Sequence, residues 1–179
     1  MDKITENLKN TKVFVGICNT KSKYWDGSLF APFRQISSSR TKGAKGELMA
    51  AQLMTSLGHK VPYNCKGKPK KTLPFIKSTD YDIEVDGYKV EVKTSTAWNE
   101  TDNDFRFQQI RNQDYDRIIF QGLNNNNAKV WWATKNDVAK HLFGNNEYRQ
   151  HGGKNGGQEL YWVGAIDGVP KWFRDIATF

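Results

Sequence analysis

Residues 82–93 read DIEVDGYKVEVK, and their alternation of apolar and polar side chains around Asp86-Gly87 predicts a β-hairpin. Asp-Gly favours a two-residue type I′ turn, because both central positions of that turn need a positive φ angle. With the turn at these two residues, the register sets Asp82 opposite Glu91. This hairpin is the strongest structural signal in the chain.

The two faces of the hairpin differ in character, because successive side chains of a strand point to opposite sides. One face carries Ile83, Val85, Tyr88, Val90 and Val92. The other face carries Asp82, Glu84, Lys89, Glu91 and Lys93. We expect the first face to enter the hydrophobic core and the second to face solvent or a functional site.

Two opposed carboxylates on the polar face suggest a metal site. Directly paired residues have Cβ atoms about 4.5–5.5 Å apart, so Asp82 and Glu91 would repel unless a cation neutralised them. Mg²⁺ suits one or two carboxylates and completes its shell with water and phosphate oxygens. Lys93 shares the face and can hold an attacking water or stabilise charge on a phosphate. The alternative is an ordinary charged hairpin surface with a Glu84–Lys89 ion pair.

The pattern of Asp82 followed by Val90-Glu91-Val92-Lys93 resembles the PD-(D/E)xK nuclease superfamily, which includes many type II restriction endonucleases, Holliday-junction resolvases and repair nucleases. Tyr81 stands where the family pattern has proline. The resemblance covers about residues 41–133 and is specific at residues 82–93. It implies an α/β, restriction-endonuclease-like core: a mixed central β-sheet flanked by helices, with the active site on a β-hairpin.

The resemblance also implies roles for the matching residues. Asp82 and Glu91 would be metal ligands, together with the backbone carbonyl of Val92, and Lys93 would be the catalytic lysine. The cofactor would be Mg²⁺, with Mn²⁺ as its substitute. Asp80 is a rival for the role of Asp82, being two residues earlier on the same face.

Two further residues are candidates for the catalytic site. Residues 41–57 have helical periodicity, and Glu47 would share a face of that helix with apolar residues. Many relatives bring a glutamate from the first helix into the site, although Glu47 could equally lie on the helix surface, in its first turn. On the strand predicted at residues 105–110, Gln108 could touch water or phosphate in the site.

The charge of the chain favours a nucleic-acid partner. Lys and Arg total 27 against 19 acidic residues, so the net charge is +8. The two cysteines and three histidines are scattered, which disfavours zinc hydrolases and HNH nucleases. We expect double-stranded DNA as the partner and no membrane partner. The candidate DNA-binding residues are Lys66, Lys68, Lys70, Lys71, Arg106, Arg111, Lys154 and Asn155.

The length of 179 residues predicts one nuclease domain over 1–179, with its core at about 41–133. Segments 1–40 and 134–179 would be elaborations for DNA binding or dimerisation. The absence of a signal or transmembrane pattern predicts a cytoplasmic protein. The remaining predicted elements are strands at 13–17, 117–120, 129–133, 160–166 and 169–173, a short helix capped by Asn136 or Asp137 and running through Phe143, and loops at 66–71 and 145–158.

The predicted function is a magnesium-dependent endonuclease that cuts double-stranded DNA at a short specific site, as type II restriction enzymes do. We expect a homodimer that places one active site on each strand. A homing endonuclease, a resolvase or a nicking repair nuclease would use the same residues. A catalytically inactive DNA-binding module is the alternative from another class. The intact set of Asp82, Glu91 and Lys93 disfavours it, because nothing structural requires all three residues together.

Overall fold

The computed structural model describes residues 3–9, 24–62, 80–97, 104–155, 158–165 and 168–179, with the backbone alone at residues 9, 151–155 and 158. Within these ranges the helices are α1 (Lys3–Lys9), α2 (Ala31–Arg34), α3 (Ser39–Ser56) and α4 (Lys135–His141). The strands are β1 (Ile83–Val85), β2 (Tyr88–Thr96), β3 (Phe105–Ile110), β4 (Arg117–Leu123), β5 (Ala128–Thr134), β6 (Arg149–Asn155), β7 (Gln158–Ala165) and β8 (Arg174–Asp175). Among the described helices, none combines the length and apolar composition that a membrane crossing requires.

The central sheet has five strands in the order β1-β2-β4-β5-β8. The β2–β4 pair is parallel and the other pairs are antiparallel, so the sheet is mixed. A parallel neighbour cannot be reached by a tight turn, and the chain between β2 and β4 accordingly leaves the sheet to form β3. The predicted mixed α/β class with a mixed central sheet is therefore confirmed.

The predicted hairpin is present in its expected register, with Ile83 paired to Val90. Both turn residues have positive φ angles, 51° at Asp86 and 86° at Gly87, as a type I′ turn requires. The Asp86 carboxylate accepts hydrogen bonds from the Lys60 backbone and from the His59 ring. These bonds lower the pKa of Asp86 and tie the turn to the segment after α3.

One residue of the predicted apolar face departs from the prediction. Tyr88 is 42% exposed instead of buried. It is the first residue of β2, beside the turn, and the guanidinium of Arg117 lies 3.6 Å from its ring centroid. A cation–π contact at the end of the sheet replaces the expected core packing.

Helix α3 covers one face of the central sheet. The Ser38 hydroxyl accepts a hydrogen bond from the Thr41 backbone and caps the helix, and Gly58, with a φ of 97°, follows its end. Gly46 lies directly against Thr94 of β2: a Cβ at Gly46 would be 2.3 Å from the Thr94 hydroxyl oxygen. Helix and sheet thus approach closely at this glycine.

The opposite face of the central sheet is covered by a second sheet, with strand order β3-β7-β6. Phe107 of β3 packs against Phe120 of β4 at 5.0 Å between ring centroids, and Phe120 stacks on Phe173 at 4.3 Å. Gly122 leaves room for the Phe105 ring, which a Cβ there would approach to 2.7 Å. The central sheet therefore has a helix on one face and an aromatic layer beneath a sheet on the other.

Three predictions outside the hairpin were wrong. The polar segment 145–158, predicted as a loop, contains β6, the edge strand that pairs with β7 through backbone hydrogen bonds. Residues 169–173, predicted as a strand, contain a turn in which the Phe173 N–H donates to the Pro170 carbonyl at 2.9 Å. Helix α4 is capped by Thr134 instead of Asn136 or Asp137. The strand predicted at 13–17 and the loop at 66–71 lie outside the described residues.

Candidate active site

The hairpin holds Asp82 against β2 by two hydrogen bonds. The Asp82 N–H donates to the Val90 carbonyl at 3.0 Å, and the Asp82 carboxylate accepts from the Val92 N–H at 2.8 Å. The carboxylate thereby takes a position beside β2 where β1 no longer pairs. Asp80, the rival candidate, precedes it in a bend.

Glu91 and Lys93 form an ion pair on the same strand. The Lys93 ammonium donates to the Glu91 carboxylate at 2.6 Å, and Glu91 is only 6% exposed. Asp82 lies close enough for its charge to raise the pKa of the Glu91 carboxyl group. Asp82, Glu91 and Lys93 are therefore grouped together, with the ion pair joining Glu91 to Lys93.

Burial dominates the electrostatics of Glu91. Desolvation, partly offset by the Lys93 charge and reinforced by the Asp82 charge, raises the pKa of Glu91 to about 7. A carboxyl group with such a pKa is close to half protonated at neutral pH. A cation bound between the two carboxyl groups would reverse this effect by favouring both charged forms.

Tyr115 lies next to this cluster and has no counterpart among the sequence predictions. Its ring is buried, and the Glu91 charge adds to burial in raising the pKa of its hydroxyl group. The hydroxyl has no hydrogen-bond partner within the described part of the chain. The following residue, Asp116, anchors the segment by accepting from the Lys89 N–H at 2.8 Å. No motif marks Tyr115, so its place beside Glu91 emerges only from the folded chain.

A groove with a volume of about 350 Å³ adjoins Lys93. It runs beside residues 92–96 of β2, between the start of α3 and β3. Strand β1 pairs only with residues 88–90, so this stretch of β2 has no strand partner on that side among the described residues. The groove is lined by Arg34, Ser39, Lys42, Gly43, Val92, Lys93, Thr94, Ser95, Thr96, Arg106, Gln108 and Gln109.

The lining of the groove carries positive charge. Arg34, Lys42, Lys93 and Arg106 all contribute to it, and no acidic residue is among the described lining residues. Burial, and then the charge of Arg34, lower the pKa of Lys42, as expected where cations gather. Such a surface favours an anionic ligand, and a phosphodiester chain is one.

The structure brings only some of the sequence candidates to this place. Arg106 and Gln108 line the groove together with Lys93, whereas Glu47 and Arg111, both half-buried, are not among its lining residues. Gly46, the neighbour of Glu47, packs on the α3 side of β2. The side chains of Lys66, Lys68, Lys70, Lys71, Lys154 and Asn155 lie outside what the structure describes.

Two cations of the groove, Arg34 and Lys42, were missed by the sequence predictions. They come from the end of α2 and the first turn of α3, about forty to fifty residues before the hairpin. The sequence offered only a general enrichment in Lys, Ser and Arg up to residue 40, which surrounds Arg34 and stops short of Lys42. That enrichment carries no spacing that would assign these two residues to one groove.

The donor set around Glu91 is small. Among the described residues, no three His, Cys, Asp or Glu side chains converge in a way that could hold a metal ion. The cluster offers two carboxyl groups and the neighbouring backbone carbonyl of Val92, which is compatible with an ion such as Mg²⁺ that keeps several of its waters. Comparison with protein-family models, with curated proteins and with solved structures finds no match to this chain.

Proposed function

We propose that the chain is a magnesium-dependent endonuclease with a restriction-endonuclease-like core, and that it hydrolyses phosphodiester bonds of double-stranded DNA at specific sites. The observation that carries the proposal is the grouping of Asp82, Glu91 and Lys93 beside a groove that Lys93 and further cations line. The carboxyl groups alone would be compatible with many metal cations, and the cationic groove alone with many polyanions. The two together favour a metal-dependent enzyme that acts on a nucleic acid.

In this proposal the residues of the cluster have different roles in the reaction. Asp82, Glu91 and the Val92 carbonyl would hold Mg²⁺ or Mn²⁺, which supplies charge neutralisation and a more acidic bound water. Lys93, now paired with Glu91, supplies a positive charge and hydrogen-bond donors for the phosphate oxygens. Hydrolysis forms a bond from water oxygen to phosphorus and breaks the bond to the departing sugar oxygen, which takes up a proton.

The groove accounts for substrate binding in this proposal. Arg34 and Lys42 neutralise the phosphates that flank the reacting one, and Arg106, whose guanidinium lies 3.7 Å from the buried Asp104 carboxylate, lines the same groove. These contacts position the strand without reading its sequence. Cutting both strands of a duplex at one site requires two active sites, and we therefore propose that the protein acts as a homodimer.

The proposal is tested by incubating the protein with supercoiled plasmid and phage DNA in Mg²⁺ or in EDTA. We expect discrete fragments in Mg²⁺, no cutting in EDTA, and a loss of rate of about a hundredfold or more for Lys93→Ala. Lys89→Ala is the matched control, because Lys89 lies on the same strand but pairs with Asp114 at the surface. Equal activity of Lys93→Ala and the wild type would refute the assignment.

The same assay separates the alternatives. Nicked circles or a ladder of fragments would favour a nicking or repair nuclease, and fragments from rare sites would favour a homing endonuclease. Cutting confined to branched DNA would favour a resolvase. Metal-independent DNA binding without any cutting would favour an inactive DNA-binding module.

A further inference from the structure

Strand β3 contains a bulge where it borders the groove. Its pairing with β7 is regular from Phe105 to Phe107 and resumes at Ile110 opposite Tyr161, so one extra residue stands on β3. Within the bulge Gln109 has a φ of 57°, a conformation that residues other than glycine, asparagine and aspartate seldom adopt. Bulges beside active sites redirect side chains, and unfavourable backbone conformations persist where the surroundings hold them in place.

A third glutamine holds the bulge. The Gln109 N–H donates to the side-chain oxygen of Gln150 at 3.0 Å, and the Gln150 amide group donates to the side-chain oxygen of Gln108 at 3.5 Å. Gln150 belongs to β6, so the contact joins both edges of the second sheet. The unusual backbone at Gln109 is therefore stabilised by a specific side chain from a distant segment.

The bulge changes which side chains reach the groove. In a regular strand, neighbouring residues point to opposite faces, so Gln108 and Gln109 would be separated. Here both are exposed and both line the groove that Lys93 adjoins. The hydrogen bond from the Arg106 N–H to the Ser95 hydroxyl, 3.1 Å long, connects β3 to β2 just before the bulge.

The chemistry of the two glutamines differs from that of the remaining groove. The cations suit phosphates, whereas a carboxamide presents one acceptor and two donors in a plane. That arrangement matches the N6 donor and N7 acceptor of adenine, which lie side by side on its major-groove edge. Since Gln150 already engages the oxygen of Gln108, Gln109 is the glutamine better placed to use both groups of its carboxamide.

We propose that Gln109 reads an adenine base close to the scissile phosphate, with Gln150 and Gln108 positioning it. This inference rests on the proposed nuclease function and adds the base that determines its specificity. In this proposal the function of the bulge is to orient a second carboxamide, that of Gln109, toward the groove that binds the substrate.

The test compares the wild type with Gln109→Gly, because glycine adopts a positive φ freely and removes only the side chain. Both proteins cut a randomised duplex library in Mg²⁺, and the ends are sequenced. We expect the wild type to prefer adenine over guanine about tenfold or more at one position near the cut, and Gln109→Gly to lose that preference. Asn136→Ala, which removes an exposed carboxamide on α4, should retain it.

A second measurement probes the base edge directly. In a duplex with 7-deazaadenine at the preferred position, the acceptor at N7 is missing, so the wild type should cut more slowly, whereas Gln109→Gly should be indifferent. An adenine preference that survives in Gln109→Gly, or a wild type without base preference, overturns this inference and leaves the nuclease intact. A wild type that neither binds nor cuts DNA refutes the proposed function itself, and the inference with it.

Discussion

Glu91 is a buried carboxyl group whose two charged neighbours act on it in opposite directions. Burial is the largest influence on its pKa, Lys93 lowers the pKa, and Asp82 raises it again. The net result, a pKa of about 7 against an ordinary value of 4.5, means that the folded protein holds this proton more tightly than the unfolded chain does. The consequence is a stability that depends on pH.

In metal-free buffer we expect the free energy of unfolding to contain a contribution from Glu91 that falls as pH rises. Because the pKa is raised in the folded state, the loss occurs between about pH 4.5 and pH 7 and is complete above that. In urea unfolding, the free energy of unfolding of the wild type should fall between pH 5 and pH 8 by on the order of 2 kcal/mol more than that of Glu91→Gln. Glu84→Gln on the same hairpin serves as control, and a constant difference between Glu91→Gln and the wild type would contradict the prediction.

A second prediction for a single residue concerns the stability effect of substituting Tyr115. Its hydroxyl is buried without a hydrogen-bond partner among the described residues, and such a group destabilises a fold. Tyr115→Phe should therefore leave stability unchanged or raise it by up to about 1 kcal/mol. Tyr115→Ala should lower it by about 3–5 kcal/mol, since it empties the space of a buried ring. Thermal and urea unfolding check both values, and a clear loss in Tyr115→Phe would show that the hydroxyl has a partner.

At the scale of elements, the contact between α3 and β2 depends on one glycine. A methyl group at Gly46 would collide with the Thr94 side chain, whereas one at Gly43, in the same helix, meets nothing within 4 Å. Gly46→Ala should cost about 1–3 kcal/mol through overpacking, and Gly43→Ala should stabilise by up to about 1 kcal/mol through helix propensity. Urea unfolding of the two variants tests this, and equal effects would rule out a close helix–strand contact.

The elements that could be predicted from the sequence are those that carry their own local signal. The hairpin has period-two alternation and an Asp-Gly turn, and α3 has a cap, an apolar face and a terminating glycine; both were found within a few residues. Strand β6 has no such signal, because a polar, glycine-rich edge strand is held by backbone hydrogen bonds to β7. Its residues gave no pattern to detect.

At the scale of the whole molecule, the candidate site combines a local part with a non-local part. Asp82, Glu91 and Lys93 belong to one hairpin, so their spacing alone predicted that they meet. The groove joins the end of α2, the start of α3, the edge of β2 and the bulge of β3. These segments meet because α3 and the second sheet pack on opposite faces of the central sheet. No sequence motif predicts that packing.

The groove leads to a prediction about DNA binding that does not depend on catalysis. If Arg34 and Lys42 contact phosphates, each releases counterions on binding, so the logarithm of the affinity falls linearly with the logarithm of the salt concentration. Fluorescence anisotropy in EDTA, with a fixed duplex and a series of salt concentrations, should give a slope that is shallower by about one for Lys42→Ala and again for Arg34→Ala. Lys140→Ala, an exposed lysine in the last turn of α4, should leave the slope unchanged. Phosphate contacts do not depend on base sequence, so the reduction in slope should be the same for duplexes of any base composition. A slope that Lys42→Ala leaves unchanged would show that the phosphates bind elsewhere on the protein.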